Sequence, residues 1–206
     1  KNTIIVFMSD NGGLSHAPRM GKTDTQNSPL RAGKGSLYEG GIREPMMIRW
    51  PGVTKANTIN DQYVVIEDFY PTLLEMAGIT KYKTVQTLDG KSMVPFLKGR
   101  RDKEKVLVWN FPNKWAIGED DKNVSWLSAI RQGDWKLIYF QKFGKLELYN
   151  IKEDISEQHD LAKKYPKKVK MLATLLTKKL KDRNAQLPSY KKTGMTVPYP
   201  DELLGR

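Results

Sequence analysis

The sequence predicts an α/β chain that ends in a small α+β subdomain, on three observations. An apolar run rich in β-branched residues, Ile4 to Met8, leads straight into Ser9-Asp10-Asn11-Gly12-Gly13. Apolar side chains at Ile66, Phe69, Tyr70, Leu73, Leu74 and Ala77 recur at helical spacing. Beyond Val106 the texture changes to short strand-like runs separated by turn residues, followed by a lysine-rich amphipathic stretch.

The run from Ile4 to Met8 is too short for a helix and reads as a strand buried on both faces, the kind found inside a parallel sheet. In open α/β sheets ligands sit beyond the carboxyl ends of strands, so the turn at residues 9–13 is the place to look for a site. Asp10 supplies a carboxylate and Asn11 an amide carbonyl, both hard oxygen donors suited to Ca²⁺ or Mg²⁺. The same residue types also favour an ordinary turn, so the motif alone leaves both readings open. Residues 14–29 are polar and punctuated by Pro18, Gly21 and Pro29, an excursion loop over that turn. His16 within it either touches a substrate or is a solvated loop histidine. Gly33-Lys34-Gly35 sets a lysine between two residues without side chains, so its ammonium can reach a tetrahedral oxyanion. It matches neither nucleotide-binding glycine motif.

Met46 to Trp50 reads as a second strand, stopped by Pro51-Gly52, with Arg43 and Glu44 before it expected to form a structural pair. Pro71 is compatible with the next helix only in its first turn, which puts the start near Asp68 and makes Asp68 the expected cap. Gly78 is the expected stop. The charged stretch from Lys98 to Lys105 marks a boundary. We therefore divide the chain into residues 1–100, a subdomain at 101–187 and an extended tail at 188–206. Strands are expected at 105–109, 125–132, 135–141 and 145–150, with hairpin turns at Gly133-Asp134 and Phe143-Gly144. Pro166 opens a helix to about Arg183, and its stripe of Val169, Leu172, Ala173, Leu176 and Leu180 is expected to cover one face of a four-stranded antiparallel sheet. Trp135 and Tyr149 read as packing residues.

The net charge is +12, and 22 of the 35 Lys and Arg residues lie beyond residue 100. That balance favours polyanionic partners such as sulfated glycans. An RNA-binding sheet would need a K/R-G-F/Y-G/A-F motif, which is missing, so nucleic acid is not expected. No apolar run is long enough for a membrane span. The absence of cysteine excludes disulfides and thiolate metal sites. The sequence opens directly on a core strand without an initiator methionine, so we expect a C-terminal piece of a longer protein. A strand without its neighbours should leave residues 9–41 poorly held, or expose a sheet edge for association.

The ordered set S-D-N-G-G, P-L-R-A-G-K-G-S-L-Y-E-G-G-I-R-E-P and W-P-G resembles the second half of the type I sulfatases, in the alkaline phosphatase superfamily. Weaker patterns carry the resemblance to about residue 162. It implies the C-terminal part of an alkaline-phosphatase-like sulfatase fold, with the N-terminal half of the same protein as its partner. It also implies that Asp10 and Asn11 are metal ligands for Ca²⁺, with Mg²⁺ possible, and that Lys34 is catalytic, contacting the sulfate oxygens. Ca²⁺ takes about six to eight oxygens, so the remaining ligands must come from elsewhere.

The family nucleophile is a hydrated formylglycine made from Cys or Ser in a C/S-x-P-x-R motif, and this sequence contains no such motif. The piece alone is therefore expected to be inactive. Many relatives carry W-H-x-P-H-x where this chain has Trp109-Asn110-Phe111-Pro112-Asn113-Lys114-Trp115. Asn110, Asn113 and Lys114 become the substrate-facing candidates, able to hydrogen-bond a sugar hydroxyl, although asparagine is no proton donor near neutral pH. The implied activity is hydrolysis of sulfate esters of carbohydrates by an exported bacterial enzyme, periplasmic or extracellular. The alternatives are a phosphoryl or phosphonate ester hydrolase of the same superfamily, and a non-catalytic module that binds sulfated glycans.

Overall fold

The computed structural model describes residues 2–14, 25–114 and 125–205. It forms two compact units, Lys1–Met8 with Met46–Lys105, and Ser9–Pro45 with Val106–Arg206. Residues 9–45 thus cluster with the C-terminal sheet, where the sequence reading groups them with residues 1–100.

In the first unit, β1 (Ile5–Met8) pairs antiparallel with β2 (Met46–Arg49), Ile5 opposite Arg49 and Met8 opposite Met46. This corrects the expected parallel strand buried on both faces. Its residues alternate in exposure, with Ile5 52% and Phe7 57% exposed. The physical reason is that β2 is its one ladder partner among the described residues, so the two-stranded ribbon leaves one apolar side in solvent.

A 3₁₀ turn at Ile66–Asp68 leads into α2 (Phe69–Met76), after the single-turn α1 (Glu39–Ile42) of the second unit. Pro71 falls in the first turn of α2, as its missing N–H requires. Asp68 precedes the helix but does not cap it. Its buried carboxylate instead accepts hydrogen bonds from the Val65 and Lys91 backbone N–H groups, 3.0 Å each, and pairs with the Lys105 ammonium. Thr72 extends this hub, donating to the Asp68 carbonyl and accepting from the Met93 N–H at 2.8 Å. That last bond holds the start of α3 (Val94–Leu97).

The second unit is built on a four-stranded antiparallel meander. Its strands are β3 (Val106–Phe111), β4 (Leu127–Gln132), β5 (Trp135–Phe140) and β6 (Lys145–Asn150), ordered as in the sequence. Gly133 sits at φ +57° between β4 and β5, the left-handed conformation a two-residue hairpin demands. The helix α4 (Pro166–Asp182) lays Val169, Leu172, Ala173, Leu176 and Leu180 on Ile130, Leu137, Tyr139 and Leu148.

The opposite face is covered as well. Leu37 and Tyr38 pack against Leu127, Ala129, Ile138, Phe140 and Tyr149. The segment carrying Lys34 is thereby part of the second of two layers on the sheet. Covering both faces explains why β5 is buried along almost its whole length.

The residues after α4, expected to be an extended tail, fold back on it. Tyr190 and Met195 pair through a 2.9 Å backbone bond, Val197 N–H donates to the Pro188 carbonyl, and Pro200–Gly205 forms a 3₁₀ segment. Thr177 of α4 donates to Asp201 at 2.7 Å, and Tyr139 donates to the Pro198 carbonyl at 2.7 Å. A polypeptide with this many prolines can still be fixed when side chains of the core satisfy its carbonyls.

Candidate active site

The turn after β1 closes on itself. Ser9 Oγ donates to the Asn11 carbonyl at 2.9 Å, and Asn11 Nδ2 donates to the Gly12 carbonyl at 3.1 Å. That second bond orients the Asn11 amide and leaves its Oδ1 as a free acceptor among the described residues. Asp10 is exposed, and its carboxylate has no hydrogen-bond or ion-pair partner among the described residues. Two hard oxygens are therefore presented at one turn, without a competing donor among the described residues.

Two other backbone segments press on that turn. Gly12 N–H donates to the Gly41 carbonyl at 3.3 Å, and Lys34 N–H donates to the Gly13 carbonyl at 3.1 Å. A Cβ on Gly12 would overlap the Gly40 carbonyl, so only glycine permits this approach. Asn27 ties the third side, accepting from Gly13 N–H at 3.1 Å and donating to the carbonyls of Gly13 and Ala32 at 2.9 Å each. The structure thus brings the Lys34 backbone to within three residues of Asp10. The Lys34 side chain is half-buried and makes no ion pair or hydrogen bond with a described residue.

The segment that holds this turn is itself anchored by buried charge, which the sequence reading did not find. Glu39 of α1 is buried with its Oε1 2.9 Å from Lys136 Nζ and its Oε2 3.2 Å from an Arg131 nitrogen. Glu157 places Oε1 2.9 Å from the same Lys136 Nζ, close enough for an ion pair although not aligned as a hydrogen bond, and its Oε2 accepts the Glu39 N–H at 2.6 Å. Burial alone would lift the Glu39 carboxyl, but the Lys136 and Arg131 charges outweigh it and hold it below the ordinary value. For Glu157 burial wins over Lys136, and its carboxyl is pushed up.

A second arm, built on two tyrosines, runs beside the first. Arg31 lies over the Tyr38 ring, 3.9 Å from its centroid, and donates to the Tyr149 hydroxyl at 3.1 Å and the Glu157 carbonyl at 2.7 Å. Tyr38 and Tyr149 both donate to Glu147 Oε2, at 2.7 and 2.8 Å. The signal for this network was in the sequence. The hairpin at Gly133-Asp134 sets Arg131 directly opposite Lys136, and two like charges side by side on an otherwise apolar face require an anion from elsewhere.

Arg43 and Glu44 do not form the pair expected of them. Arg43 reaches Glu39 at 3.6 Å, one helical turn back, because neighbouring residues on extended backbone point to opposite sides. Glu44 keeps one buried oxygen without a hydrogen-bond partner among the described residues, and burial together with the nearby Asp10 carboxylate pushes it up to about 7. A concentration of negative potential beside Asp10 suits a cation, and Asp10 with Asn11 fits as part of the coordination sphere of a hard divalent ion. No group of three or more His, Cys, Asp or Glu side chains able to hold a metal exists among the described residues.

The substrate-facing candidates are scattered differently. Asn110 is fully engaged on β3: its Oδ1 accepts from Ser128 at 2.8 Å and Gln141 at 3.1 Å, and its Nδ2 donates to the Gln186 carbonyl at 2.9 Å. Asn113 and Lys114 are exposed, with the Asn113 carbonyl accepting the Trp126 N–H at 3.2 Å. His16 lies outside the described residues.

Residues 33–186 match the family model described as N-sulphoglucosamine sulphohydrolase, C-terminal. The chain belongs to this family of sulfatases. The matched span contains Lys34 and the ion-paired Glu39, Arg131, Lys136 and Glu157, while Arg31 and the Asp10–Asn11 turn lie before it. The chain is 36% identical over 210 residues to a sulfatase of Formosa agariphila, covering 97% of this chain and 37% of that protein. It is 39% identical over 101 residues to human N-acetylgalactosamine-6-sulfatase, covering 48% of this chain and 19% of that enzyme.

Among solved structures, Ps i-CgsB in complex with k-i-k-neocarrahexaose is similar with TM-score 0.68 and 34% identity, over 92% of this chain and 38% of that one. A protein solved with its substrate D-glucosamine-2-N,6-O-disulfate is similar with TM-score 0.65 and 27% identity, over 88% of this chain and 34% of that one. The chain therefore spans little more than a third of the length of the Formosa agariphila sulfatase and of Ps i-CgsB. The four-stranded antiparallel sheet with its helix is the C-terminal subdomain of the sulfatase fold.

Proposed function

We propose that this chain supplies part of the active site of a Ca²⁺-dependent sulfatase that hydrolyses sulfate esters of carbohydrates. The observation that carries the reading is the Asp10–Asn11 turn joined to Lys34 through the Lys34 N–H bond to Gly13, with the carboxylate and the ammonium both left without partners among the described residues. Asp10 Oδ and Asn11 Oδ1 would hold Ca²⁺, or Mg²⁺ in its place, together with ligands from residues outside this chain. When bound, the ion would supply positive charge at the sulfate ester. Lys34 contacts the nonbridging oxygens and offsets charge as the ester bond breaks, a role suited to a point-charge ammonium with no competing anion among the described residues.

The nucleophile on sulfur would be a formylglycine from outside this chain, since no C/S-x-P-x-R motif occurs in it. Sulfated carbohydrate is favoured as substrate class by the relative solved with a disulfated glucosamine and by the relatedness to N-acetylgalactosamine-6-sulfatase. On this reading the protein is an exported bacterial enzyme that meets its substrate in the periplasm or outside the cell. No helix among the described residues is long and apolar enough to cross a membrane.

The test is turnover of an aryl sulfate by the complete protein that carries this chain. Activity should vanish on chelation, return with Ca²⁺, and be lost in Asp10→Ala. Preferential turnover of an aryl phosphate would move the protein to phosphoryl transfer. No turnover at all, with heparin binding unchanged in Asp10→Ala and Lys34→Ala, would make it a glycan-binding module.

A further inference from the structure

We infer that Glu39, Lys136, Glu157 and Arg131 are positioning residues: their buried ion network sets the geometry of the Asp10–Asn11 turn against Lys34 without touching either. The inference rests on the functional reading above for its consequence, and on geometry alone for its mechanism.

The load path is short and continuous. Glu39 is clamped at both its carboxylate and its backbone, by Lys136 and Arg131 on one side and by Glu157 on the other. The next residues, Gly40 and Gly41, are fixed by that clamp. Gly40 N–H donates to the Arg31 carbonyl at 2.9 Å, and the Gly41 carbonyl accepts the Gly12 N–H. A Cβ on Gly40 would overlap the carbonyls of Arg31 and Ala32, and one on Gly41 would overlap those of Ser36 and Gly33. Three backbone segments are thus stacked without slack, and any shift of Glu39 must move Gly12 on one side and Gly33 on the other. Asp10 and Asn11 ride on the first, Lys34 on the second.

Two features mark this as more than ordinary packing. Lys136 is completely buried and shared between two carboxylates, an arrangement costly to build where a leucine would fill the same sheet position. Glu157 holds a left-handed backbone, φ +51°, rare for a residue with a Cβ and kept only where the surroundings determine it completely. In return, ion pairs fix one orientation of the segment, whereas an apolar contact would allow it to slide. Groups that hydrogen-bond a metal ligand directly affect metal affinity about 10–100-fold, and this network, acting one step further out through the backbone, is expected at the low end of that range.

The experiment uses the complete protein with Glu39→Gln/Lys136→Met, which removes one charge of each sign, and with Lys178→Ala as a control on the exposed pair to Asp182. Amide exchange at Gly12 and Lys34 should speed up about tenfold or more while Ile130 and Leu137 stay protected. Ca²⁺ affinity by calorimetry should fall about tenfold in the same variant. The fall in aryl sulfate turnover should appear in kcat at saturating Ca²⁺ more than in KM, and the control should match wild type in every readout. Arg131→Lys keeps all charges and should show the same pattern at smaller amplitude, so a folding failure of the double variant leaves the test in place.

Unchanged exchange at Gly12 and Lys34 in both variants would overturn the inference. So would loss of protection spread equally over the sheet. A wild-type protein that neither binds Ca²⁺ nor turns over a sulfate ester overturns the functional reading instead, and the exchange data still decide this one.

Discussion

Lys136 Nζ lies 2.9 Å from Glu39 Oε1, at the end of a side chain with no solvent exposure. The same ammonium faces Glu157 at 2.9 Å, so removing it takes the ion-pair partner from buried Glu157 and leaves Glu39 to Arg131 and Arg43. Lys136→Met should therefore cost about 3–5 kcal/mol of unfolding free energy, the range for breaking a buried pair from one side. Glu39→Gln/Lys136→Met should recover part of that loss, because the charge left behind is smaller. Urea denaturation of the single and double variants measures the difference. A double variant no more stable than Lys136→Met would mean that the two charges are not coupled.

Ala32 carries stored backbone strain next to the site. It sits at φ +58°, and its carbonyl is pinned by Asn27 Nδ2 at 2.9 Å. A left-handed alanine costs about 1–2 kcal/mol, and a glycine there adds roughly 0.5–1 kcal/mol of unfolded-chain freedom. Ala32→Gly should then stabilise the protein by about 0.5–1 kcal/mol, the remainder of those two effects. Thermal unfolding reads this directly, and a lower midpoint would show that the Cβ contributes packing that outweighs the strain.

The C-terminal subdomain was legible because its signals are local. Turn residues at Gly133-Asp134 and Phe143-Gly144, strand runs between them and a helical stripe from Val169 to Leu180 each declare themselves within about ten residues. What the sequence hid is long-range. β5 reads W-K-L-I-Y-F, and the partner that makes Lys136 tolerable there is Glu39, 97 positions earlier. Arg43 and Glu44 looked paired because they are adjacent, yet adjacency on extended backbone separates them. Asp68 has the residue type of a cap but receives its donors from Val65, Lys91 and Lys105, two of them more than twenty positions away. The paired strand β1 was misread for a related reason, since five apolar residues do not reveal how many neighbours will cover them.

At the candidate site, the glycine and the lysine separate geometry from charge. Gly12→Ala would drive a methyl into the Gly40 carbonyl, so it should weaken Ca²⁺ binding although it changes no ligand. Lys34→Ala should leave Ca²⁺ affinity nearly unchanged and lower kcat for aryl sulfate by about 10²–10³-fold, the scale of one lost contact to developing negative charge. Calorimetry and steady-state kinetics on the two variants distinguish these outcomes. If Lys34→Ala weakens Ca²⁺ binding as much as Gly12→Ala, the lysine is part of the scaffold and not of the chemistry.

Acid should act on the network through Glu39 first. Burial raises its carboxyl, but the Lys136 and Arg131 charges, with Arg43 just beyond α1, more than offset this and hold it below its ordinary value of 4.5. The folded state then binds that proton less readily than the unfolded chain. The stability Glu39 contributes is accordingly complete above pH 4.5 and is lost as the pH falls through the folded value. Glu157, which faces the same Lys136, is pushed up by burial and has the opposite sign: its contribution is present in acid and declines as the pH rises past 4.5. Unfolding midpoints measured between about pH 3 and pH 6 should therefore show a shallower acid decline in Glu39→Gln than in wild type. In Glu157→Gln the acid decline should instead steepen, because the group that opposed it is gone. Parallel curves for wild type and Glu39→Gln would mean that the cations on β4 and β5 do not hold this carboxylate ionised, and the clamp on α1 would then have to be attributed to the Glu39 N–H bond alone.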